Sequence, residues 1–272
     1  MKLLVACLLL GLASAARAAE LKIELGSRNV VYQTATLLQR PDARSIDIPA
    51  DVAFRRPMHY RAVPLTALLE GITPADHLQF VASDGFAAQI SAALILDRRG
   101  SKAWLAIEDP SQPWPTLPGA HGRAGPFYVV WTHPAAAGVG QEQWPYQLAS
   151  IRRMDSVAQR FPAIVPDRTL PASSEVQRGF VVFQHTCFAC HTLNGEGDAS
   201  LGPDLNLPHN PTEYLRADLL RAYIRDPQSL RRWPQARMPG FDQHALSDAD
   251  LDAVLAYLRH MAGRKPVTTH QP

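Results

Sequence analysis

Cys187-Phe188-Ala189-Cys190-His191 is the stretch that decides how the chain is read. Two cysteines three positions apart can add across the two vinyl groups of one haem. A histidine directly after the second is then held under the iron as an axial ligand. C-x-x-C-H is the attachment signal of c-type haem. A bare C-x-x-C would leave a disulfide, a redox dithiol and half a zinc site open. Zinc needs further ligand pairs, and the only other cysteine is Cys7. A thioredoxin-like dithiol belongs in a βαβ setting, whereas the texture around this motif is helix-loop-helix.

Outward from the motif, residues 174–263 read as helical. Ser173 or Ser174 can cap a helix running through Phe183, with Val176, Phe180 and Phe183 at helical spacing. A second helix is predicted across Leu215–Ile224, ended by Asp226-Pro227. The last helix is the clearest. Ser247-x-x-Asp250 opens it like a capping box, Leu251, Val254, Leu255, Leu258 and Met261 share one apolar face, and Gly263 stops it.

Four further motifs recur in order around the pentapeptide. They are Gly179-Phe180 before it, Leu201-Gly202-Pro203-Asp204-Leu205 after it, Arg237-Met238-Pro239-Gly240-Phe241 further on, and Tyr257 in the last helix. With them this third of the chain resembles a class I cytochrome c domain, an all-α fold. The resemblance implies that the Pro203 carbonyl accepts a hydrogen bond from the second ring nitrogen of His191, which orients the ring and strengthens it as a donor. It implies Met238 as the second axial ligand and Tyr257 as the aromatic that packs across the first helix. His209 and His244 are the other candidates for the second axial position and read as surface histidines. Met261, on an apolar helix face, reads as core. Histidine–methionine ligation raises the reduction potential and saturates the iron, which suits electron transfer.

Residues 19–155 read as β-rich with few helices. Short β-type runs lie at Lys22–Leu25, Leu78–Ser83, Ala88–Ile95 and Phe127–Thr132, separated by turns such as Ser83-Asp84-Gly85. One short helix is predicted at Pro64–Leu69. Val63-Pro64-Leu65-Thr66-Ala67-Leu68-Leu69, Asp84-Gly85-Phe86, Gly125-Pro126-Phe127-Tyr128, and Trp144 with Ile151 resemble the molybdopterin-binding fold of the sulfite oxidase family in shortened form. That family holds molybdenum through a protein cysteine and carries an arginine after Gly-Pro. Here no cysteine lies between Cys7 and Cys187, and Phe127 and Tyr128 stand where the arginine would be. The expectation is therefore a cofactor-free module used for docking, with no molybdenum. His59, His77, His121 and His133 lack ligand spacing, and Trp104, Trp114, Trp131 and Trp144 read as core or turn packing. The polar-aromatic stretch Gln141–Tyr146 is expected to border the haem domain. Residues 156–173 form a Pro-rich linker.

Lys2, the apolar run Leu3–Leu12 and Ala16-Arg17-Ala18 read as a signal peptide cleaved after Ala18, with Cys7 discarded and a tail left at 264–272. The run is too short to span a bilayer comfortably. Removing Lys2 and Arg17 takes the 27 basic residues to 25, against 25 acidic ones. A near-neutral mature protein carries no nucleic-acid signature. The fold class expected is α+β in two domains. The function expected is a periplasmic monohaem c-type cytochrome that carries single electrons between a redox donor and an acceptor, free or within a larger oxidoreductase complex. The alternative is a haem-containing oxidoreductase or subunit whose N-terminal domain binds a small substrate such as a sulfur oxyanion.

A domain of about 90 residues buries limited apolar surface, and a porphyrin at its centre supplies much of the missing core. A Cys187→Ala, Cys190→Ala double variant without haem should therefore lose the cooperative thermal transition of the helical domain, followed by far-ultraviolet circular dichroism.

Overall fold

The computed structural model describes residues 19–120, 122–233 and 235–266. The signal-peptide expectation for residues 1–18, the reading of His121 and the end of the expected tail lie outside the described residues.

The β-rich half contains nine strands and three short α-helices among the described residues. In chain order they are β1 Glu20–Leu25, β2 Arg28–Gln33, α1 Thr34–Leu38, β3 Arg44–Ile48, β4 Met58–Pro64, α2 Leu65–Leu68, β5 His77–Ala82, β6 Ala87–Ser91, α3 Ala92–Ile95, β7 Lys102–Ile107, β8 Phe127–Thr132 and β9 Leu148–Met154. One sheet has five strands in the order β2-β1-β9-β5-β6, and the other has four in the order β3-β4-β7-β8. Apart from the parallel β1–β9 pair, the strand pairs of both sheets are antiparallel. Both sheets bury side chains in one apolar cluster that includes Leu21, Phe80, Leu105, Tyr128 and Ile151. Trp104, Trp114, Trp131 and Trp144 are all buried there, as core residues.

The sequence underestimates these strands. β2, β3 and β4 carry polar or charged residues (Arg28 and Asn29, Arg44 and Asp47, His59 and Arg61), which dilutes the apolar signal although the outward face of a strand tolerates charge. β1 and β2 are joined through Gly26-Ser27, where Gly26 takes φ +73 without a steric penalty. The run Ala88–Ile95, expected as one strand, is two elements. Ser91 ends β6 and caps α3 by accepting a hydrogen bond from the Leu94 amide at 3.3 Å, which turns the chain into a helix.

The second half is helical: α4 Val157–Arg160, α5 Glu175–Thr186, α6 Pro211–Tyr214, α7 Ala217–Arg225, α8 Pro227–Leu230 and α9 Asp248–Ala262. Ser174 caps α5 and Ser247 caps α9 through their hydroxyls. Gly263 follows α9 with φ −81, so the helix stops without a left-handed cap. The Pro-rich connection is packed rather than free. Val157 and Ile164 are buried with Phe180, Phe183, Phe188 and Tyr257, and the Tyr257 hydroxyl donates to the Ile164 carbonyl at 2.7 Å.

α5 and α9 cross at Gly179, where a Cβ atom would stand 1.9 Å from the Ala253 carbonyl oxygen and 2.8 Å from the Tyr257 Cβ. The backbones approach because that position is bare, which lets Phe180 and Phe183 pack on Tyr257 at ring separations of 5.6 and 5.1 Å. Gly179→Ala should force the helices apart and destabilise the helical domain by about 1–3 kcal/mol, as overpacking does. Gly263→Ala, whose Cβ would meet nothing closer than 3.8 Å, should leave denaturant unfolding nearly unchanged.

Candidate haem site

The pentapeptide sits at the C-terminal end of α5. The Cys187 and Phe188 amides both donate to the Phe183 carbonyl at 2.9 Å, and the His191 amide donates to the Cys187 carbonyl at 3.0 Å. Phe188 is 1% exposed and is wedged between Phe161 and Phe183, at ring separations of 5.4 and 5.7 Å. The first x of C-x-x-C is thus an anchor in the core, which leaves both cysteines partly exposed and unpaired. Burial, with the nearby Glu142 carboxyl adding to it, pushes the Cys187 thiol up to about 12. Cys190 is raised by the same two causes and by Cys187 and Asp84. A redox dithiol needs the opposite shift. Among the described residues no three His, Cys, Asp or Glu side chains gather where they could hold a metal ion.

His191 Nδ1 lies 2.8 Å from the Pro203 carbonyl oxygen. A carbonyl has no proton to give, so Nδ1 carries the N–H. Burial lowers the His191 imidazole below its ordinary value, against smaller raising effects of the Pro203 carbonyl and Asp204. The ring is then neutral, and Nε2 keeps a free lone pair. The Gly202 amide pins this loop back onto the motif by donating to the Cys190 carbonyl at 2.8 Å. A Cβ at Gly202 would fall 2.4 Å from the His191 ring, so only glycine lets the ring lie against the loop.

The loop rests on a polar scaffold that sequence reasoning missed. Asp204 accepts hydrogen bonds from the amides of Asn194, Gly195, Asn206 and Leu207 and from the Thr192 hydroxyl. Asn206, fully buried, donates to Asn194 Oδ1 and to the Met261 carbonyl, both at 2.7 Å. Asn210 donates to Asn206 Oδ1 at 2.8 Å and to the Leu258 carbonyl at 3.0 Å. These side-chain amides give carbonyls in the last turns of α9 an additional donor from outside the helix. The ladder ties the histidine loop to the terminal helix.

Met238 is half-buried against the cluster of Leu220, Ile224, Phe241, Leu246, Leu251 and Leu255. Val182 of α5 borders both this cluster and the one around Phe188. Arg225 at the end of α7 staples the chain after Met238. It donates to the carbonyls of Phe241, Asp242 and Leu246 at 2.7, 3.0 and 2.5 Å and pairs with Asp248 at 2.6 Å. Gly240 passes so close that a Cβ would stand 2.5 Å from the Arg225 carbonyl oxygen. His209 and His244 are exposed, and Met261 is buried in the core at 1% exposure.

Residues 176–262, about a third of the chain, match the family model described as Cytochrome c. The C-terminal domain is a cytochrome c domain. The whole is thus an α+β protein of two parts, a two-sheet N-terminal region and an all-α cytochrome c domain. Comparison with curated proteins finds no match. Among solved structures, the chain is similar to the sulfane dehydrogenase SoxCD from Paracoccus pantotrophus, with 16% identity and a TM-score of 0.34. That alignment covers 52% of this chain and spans 40% of the other.

A cytochrome c domain implies covalently bound haem c and haem electron transfer. The residues present fit such a group: two unpaired thiols at the required spacing, an imidazole with Nε2 free, and a glycine cradle beside the ring. Among the described residues no helix is long and apolar enough to cross a membrane.

The N-terminal sheet closes on this site. β6 is the edge of the five-stranded sheet, and its Ala87 amide donates to the carbonyl of Ala189, inside the motif, at 3.0 Å. An edge strand left open would be an aggregation risk, and here it is covered. Asp198 receives Gln79 from β5 and both contacts of the Arg160 guanidinium, at 2.5 and 2.6 Å. The Asp84-Gly85 turn, read from sequence only as a turn, approaches Ser200, since a Cβ at Gly85 would lie 2.5 Å from its hydroxyl. The one-turn segment Gln141–Gln143 packs against α5 and β6. Trp144 itself lies in the N-terminal core beside Tyr128, so the part of the Gln141–Tyr146 stretch that faces the cysteines is Glu142, with Tyr146 near Cys190. Burial pushes the Glu142 carboxyl up to about 7.

Burial alone would raise the Asp204 carboxyl, but the Gly195, Asn206 and Leu207 amides and the Thr192 hydroxyl outweigh it and hold it below the ordinary value of 3.8. A depressed acid stabilises the fold above its unfolded value, and that contribution is lost as pH falls through the folded value. Urea unfolding of the wild type should therefore weaken below about pH 4. Asp204→Asn should be less stable at neutral pH and show a flatter acid limb, and an unchanged acid limb would contradict this account.

Proposed function

We propose that the chain is an exported, periplasmic monohaem electron carrier. Its cytochrome c domain, residues 174–263, passes single electrons between a redox donor and an acceptor, and the β-rich module, residues 19–155, serves for docking. The observation that carries this reading is the 2.8 Å contact of His191 Nδ1 with the Pro203 carbonyl, placed directly after two unpaired cysteines. Cys187 and Cys190 would attach the haem, His191 and Met238 would hold its iron, and Pro203 would orient His191. When bound, haem c supplies the ferric–ferrous couple. The protein contributes a fixed imidazole tautomer, a thioether on a stapled loop and a low-polarity surround, the levers by which a protein sets a haem potential. Filling both axial positions favours electron transfer over small-ligand chemistry.

The N-terminal module supports docking rather than molybdenum chemistry. No cysteine is present in 19–186, and Phe127 and Tyr128, where the sulfite oxidase family carries its arginine, are fully buried core residues. Tyr128 uses its hydroxyl within that core, on Asp51 at 3.3 Å.

Optical spectra of the purified exported protein, oxidised and dithionite-reduced, with metal analysis of the same sample, test the reading. Expected are a sharp reduced α-band, a weak long-wavelength ferric band from methionine ligation, and iron without molybdenum. Stoichiometric molybdenum would put the substrate-binding oxidoreductase first, and absence of haem would overturn the proposal. Met238→Ala should abolish the long-wavelength band and lower the midpoint potential by roughly 0.1 V, a fraction of the about 0.8 V that axial ligands control. His244→Ala should change neither.

A further inference from the structure

The segment Pro227–Phe241, which carries Met238, contains three arginines and no acidic residue in a chain that is otherwise close to charge balance. Arg231, Arg232 and Arg237 are all exposed, and none of them forms an ion pair among the described residues. Between them Trp233 is 59% exposed, and Leu230, just before, is 42% exposed. Indole and guanidinium groups are the side chains that most often carry binding energy at protein interfaces.

The segment is exposed yet held. The Gln228 side-chain amide grips Trp233 at both backbone groups, donating to its carbonyl at 2.9 Å and accepting from its N–H at 2.7 Å. The Ala236 amide closes a turn onto the Trp233 carbonyl at 3.0 Å. Arg225 fixes the chain beyond Met238. An aromatic side chain presented on a clamped backbone loses little further freedom on binding.

The other approach to the site is taken. Ala87 bonds the motif backbone at Ala189, the segment Gln141–Gln143 packs on α5 with Glu142 by the cysteines, Tyr146 stands near Cys190, and the Asp84-Gly85 turn lies on Ser200. An external protein that exchanges electrons with this domain therefore reaches it from the Met238 side.

We propose that Leu230, Arg231, Arg232, Trp233 and Arg237 form the docking surface for an acidic electron-transfer protein, with the arginines steering encounter and Trp233 as the apolar anchor. This rests on the reading of the chain as a haem electron carrier and names the kind of partner that carrier takes. Opposite charge across such a surface raises association rates by about 10- to 1,000-fold and makes them fall with salt.

The test uses the full haem-loaded protein in its ferrous state, mixed in a stopped-flow instrument with an oxidised acidic blue-copper protein over a range of ionic strength. The wild-type rate should fall as salt rises. The variant R231E/R232E should react about tenfold more slowly at low salt, with its salt dependence reversed, while R231K/R232K keeps the wild-type behaviour. Trp233→Ala should slow the reaction without altering its salt dependence. A control swap at an exposed arginine of the connecting segment, R168E, should change little. In each variant the midpoint potential and the long-wavelength ferric band should remain those of the wild type. Unchanged kinetics in R231E/R232E with a normal spectrum would overturn this inference and leave the electron-carrier reading standing. A wild-type protein without haem would overturn both.

Discussion

The hydrogen bond between His191 Nδ1 and the Pro203 carbonyl is the contact around which the C-terminal domain is arranged. It fixes which nitrogen carries the proton, and so which lone pair is free. To hold it, the chain must bring a carbonyl twelve residues downstream back beneath the ring. Gly202 makes room, its amide ties the loop to Cys190, and Asp204 gathers four amides and a hydroxyl to stiffen the return. The asparagines at 194, 206 and 210 anchor that loop to the end of α9, and α9 is anchored in turn on α5 through Gly179. The motif, the loop and both long helices thus form one mechanical circuit.

A second circuit serves Met238. The loop that carries it is long and contains little regular structure, so it needs fixed ends. Arg225 gives one guanidinium to three carbonyls and a carboxylate, and Gln228 clips Trp233 on the other side. A guanidinium suits this task because its donors are planar, numerous and always charged.

The two halves of the protein meet across polar contacts and one strand edge. Gln79, Asp198 and Arg160 form a compact polar group there, and β6 gives its outer edge to the motif. Glu142 lies in the same seam and faces the cysteines, with no cation bonded to it among the described residues. An interface built this way fixes orientation more than it adds stability, because each buried polar group must first be desolvated.

Much of this was legible in the sequence because it is local. The pentapeptide, the Ser174 and Ser247 caps, the apolar face of α9 and the continuous apolar run of β8 depend on residues within one or two turns or one strand of each other. The core role of Trp104, Trp114, Trp131 and Trp144 was also readable. Several features were not. β3 and β4 carry too much charge on their outer faces to stand out, the Ala88–Ile95 run hides a cap at Ser91, and Asn194, Asn206 and Asn210 look like ordinary loop residues until their partners on α9 are known. Arg225 reads as one more basic residue at a helix end. The chemistry of the haem motif is written in the chain itself, because thiol and imidazole spacing is set by adjacent covalent bonds. That the edge of the N-terminal sheet closes over that motif and leaves Trp233 and its arginines open emerges only on folding, because such contacts join residues more than a hundred positions apart, and no local pattern records them.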